Sequence, residues 1–388
     1  MHRVYMDANA TTPLVPEVFE AMRPYYEARF GNAASIHKEG QQARAAVDQA
    51  RESVAALIGG RSSEIVFTSG GTESDNLALF GNLRAGDHLV TSAIEHSAVL
   101  HTAQELAKRG VEVTYVGCDA ASRISPEAVQ AAMRANTRLV SIMLANNETG
   151  VLQPAAEFAA IAHARGALFH TDAVQATGKI PISVAELGCD LLSVSAHKIH
   201  GPQGMGALFV RRNVHLAPLF YGGTHERQRR AGTENVPGIV GFGKAAELAQ
   251  QWIAHGGAVT LAGERDRMEA GILAAIPESG VNGAEAERVC NTTNLYFDHV
   301  EAEALLIALD LKGLAVSGGS ACQSGATEPS HVLMAMGLSP ARARASLRFS
   351  LSKLTTKADV DFALDAVPSA VARLRELSPS FIGAMQKQ

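Results

Sequence analysis

Between about residues 60 and 210 the chain alternates short apolar, β-branched runs with stretches whose apolar positions recur at helical spacing. The runs are EIVFTS, HLVTSA, VEVTYVG, RLVSIMLA, ALFHTDA, DLLSVSA and GALFV. A short, nearly unbroken apolar run suits a strand buried on both faces, and amphipathic segments such as 97-SAVLHTAQELAKRG-110 suit helices between them. This rhythm predicts an α/β fold built on a mainly parallel, helix-covered sheet. A helical pattern also precedes it, 35-SIHKEGQQARAAVDQARESVAALIGG-60, with Ser35 as the expected N-cap and Gly59 as the stop.

The pattern changes after 236-VPGIVGFGKAAELAQQWIAHGG-257. A long charged helix is expected around 260–275, then sparser strands within 289-VCNTTNLYF-297, 314-LAVSG-318 and 345-ASLRFSLS-352. The chain therefore divides into a large region, 15–255, and a smaller α+β region, 256–388, with residues 1–14 expected to pack against the smaller one. No internal repeat is visible.

Composition narrows the function classes. Of 388 residues, 47% are hydrophobic and 19% charged, which is ordinary for a globular chain and carries no signature of disorder. A formal charge of -5 offers no general attraction to phosphate backbones, and the densest basic run, 225-HERQRR-230, is short. Nucleic acid is excluded as the main partner. Apolar runs fall short of the ~18 residues of a membrane span, and MHRVYMDANATTP lacks the apolar core of a signal peptide. A cytoplasmic protein with no membrane partner is expected. The cysteines at 118, 189, 290 and 322 are too widely spaced for a paired zinc site or a secreted disulfide framework, so each is read as a free thiol.

In an open parallel sheet, ligands bind beyond the carboxyl ends of the strands. The residues there are Gly70, Gly71 and Thr72; Glu95 and His96; Asn146, Asn147 and Glu148; Asp172 and Gln175; and Ser195, His197 and Lys198. In 68-TSGGTESDNLAL-79 a strand passes through two glycines into a helix, so free N–H groups and a positive dipole end would face an anion such as phosphate. The same Gly-Gly is also compatible with a plain tight turn. The segment is neither the P-loop pattern nor the dinucleotide GxGxxG. Asp172 reads as a helix cap or as an acid fixing a cationic ring nitrogen. Lys198 reads as a solvated side chain or as an amine nucleophile toward aldehydes. His96 is either structural or placed to stack on a flat ring and shuttle a proton. A phosphate cradle, a ring-nitrogen acid and an aldehyde-binding lysine on successive strands together match the needs of pyridoxal phosphate.

A second constellation lies in 316-VSGGSACQSGATEPSHVL-333. Cys322 sits there among Gly, Ser and Ala, as an exposed loop thiol would; Cys189 and Cys290 adjoin strands and are expected to fill core. Arg348 alternates with Leu347 and Phe349 and reads as a paired edge charge or as a two-pronged grip on a carboxylate.

With these residues in view, the chain resembles the pyridoxal phosphate-dependent cysteine desulfurases of the NifS/IscS class, within the class V aminotransferase-like family. The likeness runs nearly end to end through DANATTP, FGNAASIH, FTSGGTESDN, IEHSAV, NNETG, HTDAVQ, SAHKIHGPQG, RRAGTENVP, GSACQSG, EPSHVL and LRFSLS, and it leans toward the nitrogen-fixation-type members. DANATT stands where DNAATT is the commoner order, and Gly319 and Gln323 replace commoner loop residues. The resemblance implies a fold-type I enzyme with a seven-stranded sheet. It makes Lys198 the Schiff-base lysine, Asp172 the partner of the pyridine nitrogen and His96 the ring-stacking histidine. Gly71, Thr72, Ser195 and His197 match phosphate-binding positions. Asn147 and Gln175 contact the ring and its 3-hydroxyl. Thr233 reaches the phosphate of a neighbouring subunit, which implies a homodimer. Asn32 and Arg348, with Asn147, fall at substrate positions, and Cys322 matches the catalytic cysteine.

The activity implied is conversion of L-cysteine to L-alanine, with a persulfide on Cys322 and sulfur transfer to acceptors such as an iron–sulfur scaffold protein. A cluster contact through Cys322 belongs to the same implication. The alternatives are a selenocysteine lyase, an aminotransferase of the same cofactor class, or a sulfur carrier without enzymatic activity.

Overall fold

The computed structural model describes residues 3–318 and 329–377. The first strand, β1 (Val4–Tyr5), joins the smaller part of the molecule. The seven apolar runs become β2 (Ile65–Thr68), β3 (His88–Ser92), β4 (Glu112–Val116), β5 (Thr137–Ser141), β6 (Leu168–Asp172), β7 (Leu191–Ser195) and β8 (Gly206–Val210). They form one sheet in the order β2-β8-β7-β6-β5-β3-β4, in which β8 alone is reversed. Strands β2, β3, β7 and β8 are buried at every position. Their unbroken apolar character follows from helices covering both faces. At the β4 edge, Glu112 and Tyr115 are exposed.

The opposite edge, β2, is covered by side chains instead. Arg51 Nη1 donates to Ile65 O at 2.9 Å, and Glu226 Oε2 accepts from Phe67 N–H at 3.0 Å. The two side chains pair with each other at 2.7 Å and are both buried. A buried ion pair thus satisfies the backbone groups that an open strand edge leaves exposed.

The expected helix near residue 35 starts later, at Lys38, and runs to Leu57. Ser35 is not its cap. A Cβ at Gly40 would lie 2.2 Å from the Ser35 carbonyl oxygen, so the chain crosses over the first helical turn at that point. Ser35 N–H closes a turn onto Asn32 O, and His37 Nδ1 accepts from Gly40 N–H as the actual cap. Gly59 does end the segment, with φ +66.

Beyond the helix Gly257–Ala275 come β9 (Ser279–Val281), β10 (Thr292–Phe297), β11 (Leu314–Ala315), β12 (Ser317–Gly318) and β13 (Ser346–Ser350). The stretch 314–318 breaks into two strands because its halves pair differently. β11 runs parallel to β1, while β12 joins an antiparallel sheet in the order β12-β13-β10-β9. Leu295, Phe297, Leu347 and Phe349 form its core with helices Gly257–Ala275 and Lys357–Glu376, and Val4 and Met6 enter the same core. The chain then crosses to the large sheet. Asp7 bridges to Ser350, and Thr12 donates through N–H and Oγ1 to His197 O at 2.9 and 2.8 Å.

Candidate active site

The carboxyl ends of β2, β3, β5, β6 and β7 open onto a cavity of about 450 Å³, a volume suited to a small ligand. Its floor starts at the helix Gly71–Phe80. A Cβ on Gly71 would sit 2.8 Å from Val174 Cγ2, and one on Gly206 would sit 2.6 Å from Gly70 Cα. Glycine at both places lets the helix start lie directly against β8 and the turn after β6. The first N–H groups of this helix have no intrahelical partner and stand at its positive end, beside Thr72 and Ser195.

Lys198 ends a single 3₁₀ turn, Ala196–Lys198, directly after β7. Its Nζ donates to Asn9 O and Ala10 O, both at 2.6 Å. Asp172 is the last residue of β6, and its Oδ1 accepts from Val174 N–H at 2.9 Å. Burial raises its carboxyl, while His96, that N–H and Lys198 pull it back down. His96 caps the helix Ser97–Lys108 by accepting from Ala98 N–H at Nδ1, so a neutral ring carries its proton on Nε2. Burial lowers the His96 pKa and favours that neutral form.

Next to Asp172 lies a further set of buried titratable groups. The Asp75 carboxyl is raised well above the usual range by burial and then by the charge of Asp172. His170 is held between Ser141 Oγ at 2.8 Å and Ser193 Oγ at 3.0 Å, and burial pushes it down to about 3. The Glu95 carboxyl is pushed up to about 8 by burial, although Ser92 Oγ and Met143 N–H both donate to Oε1.

The far wall comes from the smaller part of the molecule and the N-terminal crossing. Arg348, on β13, donates to Asn147 O at 3.0 Å and to Asp7 Oδ1 at 2.7 Å. Glu148 accepts from Ser330 Oγ at 2.5 Å, and burial pushes its carboxyl up to about 7. Buried polar atoms without a hydrogen-bond partner include Asp75 Oδ1, Asn147 Oδ1, Ser195 Oγ and Arg348 Nε, all on residues that line the cavity.

The cavity brings together Gly71, Thr72, His96, Asn147, Asp172, Gln175, Ser195, His197, Lys198 and Arg348. Asn32 and Thr233 are not among them. Both lie exposed, with Asn32 Oδ1 accepting from Ala34 N–H in its own turn. Cys322, and with it the expected cluster contact, lies outside the described residues. Cys189 and Cys290 are buried, as expected of core thiols.

Sequence reasoning missed Asn9, Asp7 and Lys179. Asn9 supplies a carbonyl to Lys198 and to Gln175 Nε2 at 3.0 Å, and its side chain contacts Thr292, Asn147, Asn291 and Lys179. Lys179 follows Gln175 by four positions in a run of turns, a spacing that could have marked it. Nothing local marks Asn9, because its partners are far along the chain.

Residues 4–362 match the family described as Aminotransferase class-V. The chain is 49% identical over 380 residues to "Cysteine desulfurase IscS" of Methanosarcina thermophila, covering 97% of this chain and 94% of that protein. It is also 49% identical over 389 residues to "Cysteine desulfurase" of Gluconacetobacter diazotrophicus, covering 99% and 97%. A solved structure described as a NifS-like protein superposes with a TM-score of 0.89 at 36% identity, covering 96% of this chain and all of that one. The seven-stranded, mainly parallel sheet is shared with that neighbour.

Proposed function

Because the chain belongs to the class V aminotransferase family, we propose that it is a cysteine desulfurase that holds pyridoxal phosphate in the cavity at the rim of the large sheet and converts L-cysteine to L-alanine. The observation that carries the reading is the set of unpartnered buried atoms around that cavity, Asp75 Oδ1, Asn147 Oδ1, Ser195 Oγ and Arg348 Nε, beside a lysine at a strand end. Burying such atoms without partners is costly, and a polar ligand would relieve that cost.

The residues present fit the cofactor. Thr72, Ser195, His197 and the free N–H groups at Gly71 and Thr72 would hold its phosphate. Asp172 would pair with the ring nitrogen, His96 would lie against the ring face, and Lys198 would anchor the aldehyde. When bound, the group supplies an electron-withdrawing ring for bonds to the substrate's α-carbon.

The chain's own residues do the rest. Lys198 Nζ, placed by two carbonyl oxygens, carries the α-proton. His96 Nε2–H is the neutral donor within the cavity. Arg348, fixed at Nη2 by Asp7, grips the substrate carboxylate, with Asn147 beside it. The Cys322 thiolate takes the substrate's sulfur: the new S–S bond forms as the C–S bond breaks, and the carbon is reprotonated to give alanine. Sulfur then passes to acceptors, an iron–sulfur scaffold protein among them. Thr233 and Asn32, exposed and away from their own cavity, suit the partner's site in a homodimer. A cytoplasmic location fits these roles, and among the described residues no helix is long and apolar enough to cross a membrane.

The test is to reconstitute the protein with pyridoxal phosphate, supply L-cysteine and a reductant, and measure alanine and sulfide together. Equal amounts are expected, and Cys322→Ala should end sulfide release while keeping the cofactor's absorbance. Alanine without sulfide, or pyruvate in its place, would reject the reading. Undiminished turnover of Cys322→Ala would point instead to an aminotransferase.

A further inference from the structure

Lys179 is buried beside the cavity rather than on its wall, and the mechanism above gives it no role. Its Nζ donates to Gln175 Oε1 at 2.7 Å and to Asn9 Oδ1 at 3.0 Å. Both acceptors are neutral, and among the described residues no carboxylate lies within ion-pair distance of it. An uncharged amine has two N–H groups for these two acceptors and leaves no donor over, whereas an ammonium would bury an uncompensated charge. Burial accordingly pushes the Lys179 amine down to about 7.

These two bonds fix the polarity of an amide that the lysine does not share with any ligand. With Oε1 of Gln175 engaged, the amide nitrogen must take the other side. One of its N–H groups goes to Asn9 O at 3.0 Å, and Gln175 also lines the cavity, so the second N–H is what it has left to offer there. Asn9 is locked in the same way. Its Oδ1 accepts from Lys179 and Asn291, its Nδ2 donates to Thr292 and Asn147, and its carbonyl holds Lys198.

We propose that Lys179 is a positioning residue that makes Gln175 present a hydrogen-bond donor, and never an acceptor, to whatever the cavity holds. Such a wall selects a ligand oxygen that is deprotonated. The inference rests on the pyridoxal phosphate reading, in which that oxygen is the ring hydroxyl. Lys179 then keeps the hydroxyl as an oxyanion without touching it.

The experiment reads absorbance, not turnover. Protein reconstituted with pyridoxal phosphate should show the visible band of the ionised ring. In Lys179→Met the amide keeps only its bond to the Asn9 carbonyl, so the orientation with its oxygen inward gains population, and the near-ultraviolet band of the un-ionised ring should grow about fivefold relative to the visible one, the equilibrium equivalent of one neutral hydrogen bond. Gln175→Glu, which keeps the lysine contact but faces the cavity with an acceptor, should shift the spectrum in the same direction. In a Gln175→Ala background, Lys179→Met should add nothing, since the lysine acts through that amide.

A folded Lys179→Met protein with the parental spectrum overturns the inference, as does an effect that persists in the Gln175→Ala background. If Lys179→Met does not fold, Gln175→Glu decides, and a retained visible band overturns it. A parent that never gains a visible band removes the cofactor reading and this inference together. A parent that gains it, matched by Lys179→Met, removes the inference alone.

Discussion

The two walls of the cavity are built on opposite plans. On the large-sheet side, Asp172, Ser195, Lys198 and His96 each sit within a few residues of a strand end, and Asp172 and His96 are held by N–H groups only two positions away. On the other side, Asn9 reaches Thr292 across 283 positions and Asp7 reaches Arg348 across 341. On the first wall burial shifts the protonation of Asp172 and His96, and the second carries backbone carbonyls, one fixed guanidinium and the buried Glu148. Chemistry is therefore placed by rigid strands, and enclosure is placed by assembly of distant segments.

Damage to the two walls should look different, and the largest effect belongs to the chemical one. Lys198→Ala should lower alanine formation from L-cysteine by at least about 10³-fold, as loss of a proton-transfer group does, with an unchanged melting temperature. A fall in stability instead would blur the division. Asp7→Ala, on the assembling wall, leaves Arg348 buried and unpaired. It should cost about 3 kcal/mol in denaturant unfolding and raise KM for L-cysteine, because the guanidinium loses its anchor. Asn9→Ala should cost about 2 kcal/mol through its lost side-chain bonds, leaving the carbonyl to Lys198 and hence much of kcat in place. Equal losses of kcat from Asn9→Ala and Lys198→Ala would erase the contrast.

A further effect is one of pH. The carboxyls of Glu95 and Glu148, raised to about 8 and about 7, lie above their ordinary value of 4.5. The folded chain thus keeps protons that the unfolded chain has released, and stability contributed by these groups falls as pH rises from about 5 through 8. Lys179, lowered to about 7 from 10.5, slopes the other way above pH 7, so parent and variant must be compared at each pH. Glu95→Gln should lie close to the parent near pH 5 and gain on it steadily up to pH 9 in thermal melts. A constant difference across that range would show that Glu95 is not proton-bound in the fold.

This contrast also explains what the sequence revealed. Every strand of the large sheet follows from its own apolar run, and the rule that ligands gather at strand carboxyl ends picks out Asp172, Ser195 and Lys198 from the chain alone. Ser35 failed as a cap because the deciding contact, its carbonyl passing over Gly40, is a packing event that spacing does not encode. The split of 314–318 into β11 and β12 depends on β1, more than 300 residues earlier in the chain. Asn9 carries the same lesson: an asparagine among small residues looks like a turn former, and only the assembled fold turns it into a junction between two lysines.

The edge strand β2 has one last implication, for biosynthesis. Its strand partner β8 begins 138 positions after β2 ends, from residue 68 to residue 206. At the usual ~5–20 residues per second, the ribosome leaves that strand without its neighbour for roughly 7–30 s. The Arg51–Glu226 plug arrives later still, and the bridge from Asp7 to Ser350 later again. A nascent chain thus spends that interval with an apolar strand whose edges are unpaired, the kind of surface on which chaperones act.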